Sequence, residues 1–451
     1  MILQNFEVLQ MPLGNSFIAR QIFAPLFIAL LLVTGCSGAD GTPDAQVTDG
    51  TLGDATPDAL LTDGFTSDGA IDGEMESDGG APTTTIRVHY DTGFGNRIGL
   101  QGEAAPLDWN TPVATTWTAG NVWTWETREI TAATEFKPVF IDSANVTTYA
   151  IGSNWIVHPG ETLDVYPFFF LTTGSLDSFV VLGSTLGDRE VEVYLPPSYD
   201  EPGTGGREYP VLVMQDGQNL FDPNAFFGGW SLNDTMDGLL VGDAVGGVSD
   251  VIVVAPHNGA TARLYEYTPT SGETDYCLAP GDCGGADVYL DFVENELLPE
   301  VRSRYRAAHG RVGIAGSSLG GLVSMYACWS RPTVFDRCGV LSPSFWWDEE
   351  WMIAQVDNYT GQKKELRIYL DAGTISDGLA NVQMMFNVLT NKPAGFSYTM
   401  NVDLLCLIGV DHEHNEIHWR ARSPWALEWL YADPTRVQPS PQRPADIIEC
   451  N

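Results

Sequence analysis

The chain has 451 residues, of which 44% are hydrophobic and 11% aromatic, so it is long enough to bury more than one core. Its 59 acidic residues outnumber 22 Lys and Arg and give a formal net charge of -37. Because such a surface repels phosphates and anionic lipid head groups, the composition excludes nucleic-acid binding and adhesion through basic patches.

The first 35 residues are typical of an export signal. Arg20 precedes the apolar stretch QIFAPLFIALLLVTG, which is too short for a comfortable membrane span and ends in small residues. Cys36 follows at once, and VTGC resembles the lipobox of bacterial lipoproteins. That resemblance implies cleavage before Cys36 and lipid on its sulfur and new amino group, which would attach an exported protein to the outer membrane or cell surface. A buried or disulfide-bonded Cys36 is the alternative.

Residues 36–82 predict a disordered acidic linker. The segment repeats Asp-Gly pairs and contains no Lys or Arg, so it repels itself and has too little apolar surface to offset its chain entropy. Acidic loops also suit calcium. The irregular spacing of these pairs favours a tether over a calcium site.

Residues 83–170 show short alternating runs typical of a small all-β sandwich, such as TIRVHY, VWTWETREI and EFKPVF. Five tryptophans fall in this region: Trp109, Trp117, Trp123, Trp125 and Trp155. The segment resembles starch-binding-type carbohydrate-binding modules in a Trp after a turn, a Phe/Tyr-Lys pair at a strand end and a late Asn. Indole faces can stack on sugar rings. The alternative is that these indoles fill the sandwich core.

From residue 171 to residue 434, apolar runs of strand length alternate with stretches of helical spacing. Buried strands are indicated by YPVLVMQDG, DVIVVAPHN, RVGIAG, CGVLS and ELRIYLDAG, and REVEVYLPPSY is an alternating strand. Helices are indicated by ADVYLDFVENELLPEVRSRYR, the segment from Leu319, residues 379–391 and SPWALEWLY. This alternation predicts an α/β fold, a mostly parallel sheet with helices on both faces. Residues 435–451 are then a C-terminal tail.

The stretch GSSLG, residues 316–320, fits Gly-x-Ser-x-Gly with Ser318 as the central serine. Glycine is common in this chain, so the motif alone carries little weight. Its context strengthens it, because it lies between a predicted strand and a predicted helix, where a nucleophile elbow occurs. Glycine at 316 and 320 would relieve crowding at a strained bend. The pattern therefore predicts Ser318 as a nucleophile beside a helix amino terminus.

A serine nucleophile needs a base and an orienting carboxylate, which follow it along the chain in the order acid, then histidine. The histidines after Ser318 all lie in GVDHEHNEIHW: His412, His414 and His418. Their clustering also allows a metal site. No complementary His/Asp cluster is evident elsewhere in the sequence, which favours the catalytic interpretation.

Six segments resemble, in this order, the putative esterase family of α/β-hydrolases. They are REVEVYLPPSYD, YPVLVMQDGQNLFD, RLYEYTP, AGSSLGG, LSPSFWW and DHEHNEIHW. The family includes esterase D, enterochelin-type esterases and the feruloyl and acetylxylan esterases of carbohydrate esterase family one. The resemblance implies hydrolysis of carboxylic esters without a cofactor.

By this resemblance Ser318 is the nucleophile and His414 the base. The acid is Asp377 or Asp371, with Asp377 favoured because the family's acid follows a Gly-Thr pair; Glu416 ranks third. The backbone N–H of Leu319 and that of Gly217 or Gln218 would form the oxyanion hole.

Several neighbouring side chains have structural interpretations. Asp216 would fix a turn, and Arg263 and Glu266 would form a structural pair beside the site. Trp346 and Trp347 would line a pocket or support the sheet. The cysteines other than Cys36 are even in number, which suits disulfides in an exported protein. Proximity in sequence favours the pairs Cys277–Cys283 and Cys328–Cys338, which leaves Cys406 for Cys450, one of the fifteen connectivities that six cysteines allow.

These observations predict a lipid-anchored, exported serine esterase with a Ser-His-Asp mechanism. The sandwich domain favours feruloyl or acetyl esters of polysaccharides as substrates, by analogy alone. Esters of siderophores or of small aromatic acids are an alternative. A second alternative is a non-catalytic surface protein that binds glycan.

Overall fold

The computed structural model describes residues 81–242, 247–272, 276–393, 395–438 and 443–450. The predicted signal segment, Cys36 and nearly all of the predicted linker lie outside these residues, so they remain predictions. In the described part of the chain, no helix combines the length and the apolarity that crossing a bilayer requires.

Nine short strands form two sheets that face each other. They are β1 (Thr84–His89), β2 (Arg97–Gly102), β3 (Val113–Ala114), β4 (Thr116–Thr118), β5 (Val122–Thr127), β6 (Thr134–Ile141), β7 (Thr147–Tyr149), β8 (Trp155–Val157) and β9 (Thr162–Val165). One sheet has the order β4-β5-β1-β9, and the other has the order β3-β2-β6-β7 with β8 also on β6. Alternate side chains such as Ile86, Val88, Ile98 and Leu100 are fully buried, which confirms a small β domain.

The tryptophans of this domain divide between its core and its surface. Trp123 and Trp155 belong to the buried cluster, and Trp125 packs against it. Trp109 and Trp117 are exposed by 37% and 54%. The core interpretation therefore holds for Trp123, Trp125 and Trp155, whereas Trp109 and Trp117 do not fill the core. Glycan binding by the exposed pair remains a prediction.

A nine-stranded sheet follows. Its strands are β10 (Ser175–Ser184), β11 (Gly187–Leu195), β12 (Val211–Met214), β13 (Ile252–Pro256), β14 (Val312–Ser317), β15 (Phe335–Leu341), β16 (Arg367–Ile375), β17 (Leu404–Glu413) and β18 (Ile447–Glu449). They run in the order β10-β11-β13-β12-β14-β15-β16-β17-β18. The six strands from β13 to β17 are parallel, whereas β10, β11 and β18 are antiparallel to their neighbours. The predicted, mostly parallel sheet is confirmed.

Helices cover both faces of this sheet. They are α1 (Pro197–Asp200), α2 (Leu232–Val241), α3 (Arg263–Tyr267), α4 (Ala286–Phe292), α5 (Leu298–Arg304), α6 (Leu319–Ser330), α7 (Trp347–Asp357), α8 (Leu379–Thr390) and α9 (Glu416–Tyr431). Along β12, Val211 and Val213 pack in one core with α4 to α8. Leu212 and Met214 pack in a second core with α2 and α9. The strand residues alternate between two buried faces, which explains their continuous apolarity.

Three disulfides join the predicted pairs: Cys277–Cys283, Cys328–Cys338 and Cys406–Cys450. The last of these ties β17 to the residue after β18. The predicted tail therefore adds an antiparallel edge strand to the large sheet.

Candidate active site

Four neighbouring parallel strands carry the candidate catalytic groups at their carboxyl ends. Ser318 follows β14, Ser342 follows β15, Asp377 lies just beyond β16 and His414 follows β17, and these strands are adjacent in this order. The turn that contains Gly217 follows β12, the neighbour of β14 on its other side. Because the carboxyl ends of parallel strands meet at one sheet edge, residues far apart in sequence converge there.

Ser318 sits on a strained bend between β14 and α6. Its backbone has φ 58° and ψ -124°, a conformation that side chains with a Cβ rarely adopt. A Cβ on Gly316 would lie 2.8 Å from both Gln215 Cγ and the carbonyl carbon of Gly320. The predicted need for glycine at 316 thus has a steric cause, and the bend has the strand-turn-helix form of a nucleophile elbow.

His414 and Asp377 form a hydrogen-bonded pair. His414 Nδ1 lies 2.6 Å from Asp377 Oδ1. The Asp377 side chain is fully buried, whereas that of His414 is 37% exposed. The Trp419 ring packs edge-on against the imidazole, with centroids 4.9 Å apart. This leaves Nε2 of His414 as the ring nitrogen available to a substrate or a nucleophile.

Within the described residues, Ser318 Oγ has its hydrogen-bond contact with Ser344 Oγ, at 3.4 Å, and none with His414. The backbone connects the serine to the segment after β15, and that segment contacts Asp377. Ser318 N donates to Leu341 O, and Ser344 N donates to Ser318 O. Ser342, inside the same segment, donates its hydroxyl to Asp377 Oδ2 at 2.6 Å. Catalytic contacts of this kind often shorten only when substrate binds.

The alternative acid, Asp371, is fully buried in β16 and does not reach His414. It accepts hydrogen bonds from Ser342 N at 3.1 Å and Tyr369 Oη at 2.9 Å. Arg422 Nε lies 3.1 Å from its Oδ2. The structure therefore places Asp377, the acid favoured from the sequence, against the histidine.

The two carboxyl groups differ in their electrostatics. Burial disfavours the charge of Asp377, but hydrogen bonds from His414 and Ser342 and the charge of Arg422 lower its pKa below the usual value. Burial raises the pKa of Asp371, and the neighbouring Arg422 only partly offsets this. Burial likewise raises the pKa of Glu416, which begins α9 beside His414.

Three residues of the site were not identified from the sequence: Ser342, Trp419 and Arg422. Arg422 Nη2 lies 2.6 Å from Ser342 Oγ and 3.2 Å from Asp377 Oδ2. Trp419 Nε1 donates to the same hydroxyl at 3.0 Å. Ser342 and Trp419 stand inside the segments LSPSFWW and DHEHNEIHW, so the resemblance carried a signal for them. Arg422 lies outside every segment and had none.

The other two histidines have structural partners. His412 Nδ1 lies 3.2 Å from Arg422 Nη1, and His412 Nε2 lies 3.3 Å from Asp446. His418 Nδ1 accepts from the Glu413 N–H at 2.8 Å and its ring stacks on that of His412. Among the residues that the structure describes, no group of His, Cys, Asp or Glu has a metal-binding arrangement.

The predicted oxyanion donors follow two neighbouring strands, β14 and β12. Leu319 is the first residue of α6, and Gly217 and Gln218 lie in the short helical turn after Asp216. The hydrogen bonds of that turn are donated by Asn219 and Leu220. Over the described residues, no backbone hydrogen bond outside regular helices and strands is donated by Leu319, Gly217 or Gln218. Their role as donors remains a prediction.

Gly217→Ala is expected to lower kcat by about 10²- to 10³-fold, the usual effect of losing one oxyanion donor. A Cβ there would lie 2.1 Å from the Ala255 carbonyl oxygen, so the turn must shift. Steady-state hydrolysis of p-nitrophenyl acetate measures the effect. Gly206→Ala is the matched control, because its Cβ would enter open space, and it should keep wild-type rates. Equal rates in both variants would contradict a donor at 217 or 218.

The expected Arg263–Glu266 pair is wrong. Arg263 instead donates two hydrogen bonds to the Asp216 carboxylate, from Nε at 2.7 Å and from Nη2 at 2.8 Å. Glu266 forms a buried ion pair with Arg189 on β11. Arg263 and Glu266, which are three residues apart on α3, therefore contact different partners. Asp216 has φ 60° and accepts from Arg263 and Asn258, in accordance with its predicted role in fixing the turn.

The two tryptophans after Phe345 differ in environment. Trp347 is buried, and its Nε1 donates to Thr270 at 3.0 Å. Trp346 is 43% exposed and lies two residues after Ser344, the contact of Ser318 Oγ. Its ring packs on that of Tyr276, with centroids 5.8 Å apart. Trp347 therefore supports the sheet, whereas Trp346 and Tyr276 form an exposed aromatic surface.

Comparison with known proteins identifies the family to which this chain belongs. The family described as putative esterase matches residues 183–426. Siderophore triacetylfusarinine C esterase of Aspergillus fumigatus is 30% identical over 179 residues, 39% of this chain and 57% of that enzyme. Uncharacterized protein YbbA of Bacillus subtilis is 28% identical over 263 residues, 54% of this chain and 93% of that protein. The solved BES protein from Bacillus cereus has a TM-score of 0.45 at 17% identity, covering 57% of this chain and 94% of that one.

Proposed function

Since this chain belongs to the putative esterase family, whose members hydrolyse carboxylic esters, we propose that it is a serine esterase acting through an acyl-enzyme. The observation that carries the proposal is the pair of His414 and buried Asp377 beside Ser318 on its strained bend. Ser318, Asp377 and His414 follow one another along the chain in the order typical of α/β-hydrolases.

In the proposed reaction, Ser318 Oγ attacks the ester carbonyl carbon while His414 Nε2 takes the hydroxyl proton. The tetrahedral oxyanion accepts hydrogen bonds from the N–H of Leu319 and that of Gly217 or Gln218. His414 then gives its proton to the departing alcohol, whose bond to the carbonyl carbon breaks. Water, deprotonated by the same nitrogen, attacks the acyl-enzyme and releases the acid. Asp377 orients the imidazole and stabilises its protonated form.

Two substrate classes have support. Esters of siderophores or small aromatic acids are supported by the name of the Aspergillus relative and by exposed Trp346 and Tyr276, whose rings can stack on a planar group. Feruloyl or acetyl esters of polysaccharides are supported by the exposed indoles of Trp109 and Trp117. We place the aromatic esters first, because Trp346 belongs to the segment whose Ser344 contacts Ser318 Oγ, whereas Trp109 and Trp117 belong to the β domain.

The substrate test is a panel of p-nitrophenyl acetate, methyl ferulate, acetylated xylan and a triscatecholate lactone. We expect kcat/KM to be higher on methyl ferulate and on the triscatecholate lactone than on acetylated xylan. A lead of acetylated xylan would favour the polysaccharide class instead. Absence of hydrolysis and of fluorophosphonate labelling at Ser318 would favour a non-catalytic surface protein that binds glycan.

We also propose export and attachment to a membrane through lipid on Cys36. Support for this comes from the sequence pattern around VTGC alone. Metabolic labelling with an alkyne fatty acid, compared between the full chain and Cys36→Ala, tests it. Equal label in both would contradict lipidation at this cysteine.

A further inference from the structure

The hydroxyl of Ser342 has a determined direction. Its oxygen has one hydrogen and two lone pairs. Trp419 Nε1 and Arg422 Nη2 can only donate, and they approach this oxygen at 3.0 and 2.6 Å. Both lone pairs are then occupied, so the Ser342 hydrogen must point to its remaining partner, Asp377 Oδ2, at 2.6 Å.

Asp377 Oδ2 consequently receives hydrogens from three sides. Besides Ser342, it accepts from the Gly373 N–H at 2.5 Å and from Arg422 Nη2 at 3.2 Å. A proton on Oδ2 would face these donors, so this oxygen is held as part of an anion. The other oxygen, Oδ1, is left for His414 Nδ1 alone.

An anionic Oδ1 requires a donor opposite it. His414 Nδ1 must therefore carry the hydrogen, and the lone pair of the neutral ring is on Nε2. Arg422 is itself held from both edges, by Asp371 at 3.1 Å through Nε and by His412 Nδ1 at 3.2 Å through Nη1. The guanidinium is fully buried, so these contacts leave it little freedom to rotate.

We propose that Ser342 and Arg422 are positioning residues that select the Nδ1–H tautomer of His414 through Asp377 Oδ2. The catalytic use of that tautomer rests on the proposed esterase function, whereas the tautomer itself does not. Formal charges add a second effect. The formal charges of Asp371, Asp377 and Arg422 add up to -1. A proton taken by His414 therefore neutralises the cluster in the step that forms the imidazolium.

The variants are Ser342→Ala, Arg422→Lys and Arg422→Met. Ser342→Ala removes one donor to Oδ2 and leaves two donors without an acceptor, and Arg422→Met removes the charge. We expect kcat to fall about 10- to 100-fold in Ser342→Ala and Arg422→Met, the scale of second-shell losses, with KM within about twofold. Arg422→Lys keeps the charge and should recover part of kcat.

The matched control is Arg189→Met. Arg189 is a second buried arginine paired with a carboxylate, Glu266, on the same sheet, and it does not contact Asp377. If Arg422 matters only for stability, Arg189→Met and Arg422→Met should both lower the melting temperature and both leave kcat unchanged while the protein is folded. We expect only Arg422→Met to lower kcat, at temperatures where both variants are folded by circular dichroism.

The tautomer is read directly from long-range ¹H–¹⁵N spectra of the imidazoles, with His414→Gln for assignment. We expect Nδ1–H alone in the wild type and a mixture with Nε2–H in Ser342→Ala and Arg422→Met. The same pure tautomer in all three proteins would overturn the proposal. If the wild type showed Nδ1–H alone but hydrolysed no ester, the proposed function would be wrong and the proposed role of Ser342 and Arg422 would stand.

Discussion

Ser318→Ala is expected to lower kcat on p-nitrophenyl acetate by about 10⁶-fold, the scale found when the serine of such a constellation is removed. No other hydroxyl in the described residues combines the strained bend, the adjoining helix amino terminus and the neighbouring His414–Asp377 pair. The residual rate would come from binding and from the oxyanion donors alone. Labelling with a fluorophosphonate, followed by peptide mass spectrometry, should place the adduct on residue 318 in the wild type and nowhere in the variant.

Ser317→Ala is the control for this experiment. Ser317 is the adjacent residue of the same motif, but it ends β14, is buried and lacks the strained backbone conformation of Ser318. We expect its rate to stay within about twofold of the wild type. If Ser318→Ala hydrolysed the ester as fast as Ser317→Ala, another group would have to be the nucleophile.

The fold was predictable where one physical pattern dominates. Strands buried on both faces must be mainly apolar. The strands β12, β13 and β14 have this composition, so their positions followed from the sequence. Strand β17 and helices α2 and α7 were not predicted. Helix α9 begins at Glu416, well before SPWALEWLY, because the Asn415 side chain accepts from His418 N and caps it. That capping signal lies inside the histidine cluster, outside the apolar pattern that predicted the helix.

The candidate site was predictable as far as a motif extends. Ser318 and His414 each stand in a short, recognisable segment, and Asp377 follows a Gly-Thr pair. Arg422 could not be identified, because its partners lie on β16 and beyond β15, and only folding brings them to α9. The Arg263–Glu266 error has the same origin. Two opposite charges one helical turn apart suggest a local pair, but tertiary contacts gave each a better partner.

Asp377→Asn is expected to lower kcat by about 10⁴-fold, as when the orienting carboxylate of a serine hydrolase becomes an amide. The amide NH₂ would face Nδ1 and stabilise the wrong tautomer of His414. Asp371→Asn is the matched comparison, since it makes the same change in the other buried carboxylate bound to Arg422. It should keep kcat within about tenfold and lose about 1 to 3 kcal/mol of stability, the cost of weakening buried hydrogen bonds, because Arg422 keeps Asp377 as a charged partner. Steady-state kinetics and urea unfolding separate the two outcomes. The reverse pattern would make Asp371 the acid.

The pH dependence of stability gives an independent check on Asp377. Its pKa is lowered in the folded protein, so it contributes stability that is fully present above the unfolded value of about 3.9 and is lost as the pH falls through the folded value. Asp377→Asn lacks this group. Its free energy of unfolding should therefore fall less than that of the wild type between about pH 5 and pH 2. Parallel curves for the two proteins would mean that His414, Ser342 and Arg422 do not stabilise the charge of Asp377, and the orienting role assigned to that carboxylate would lose its physical basis.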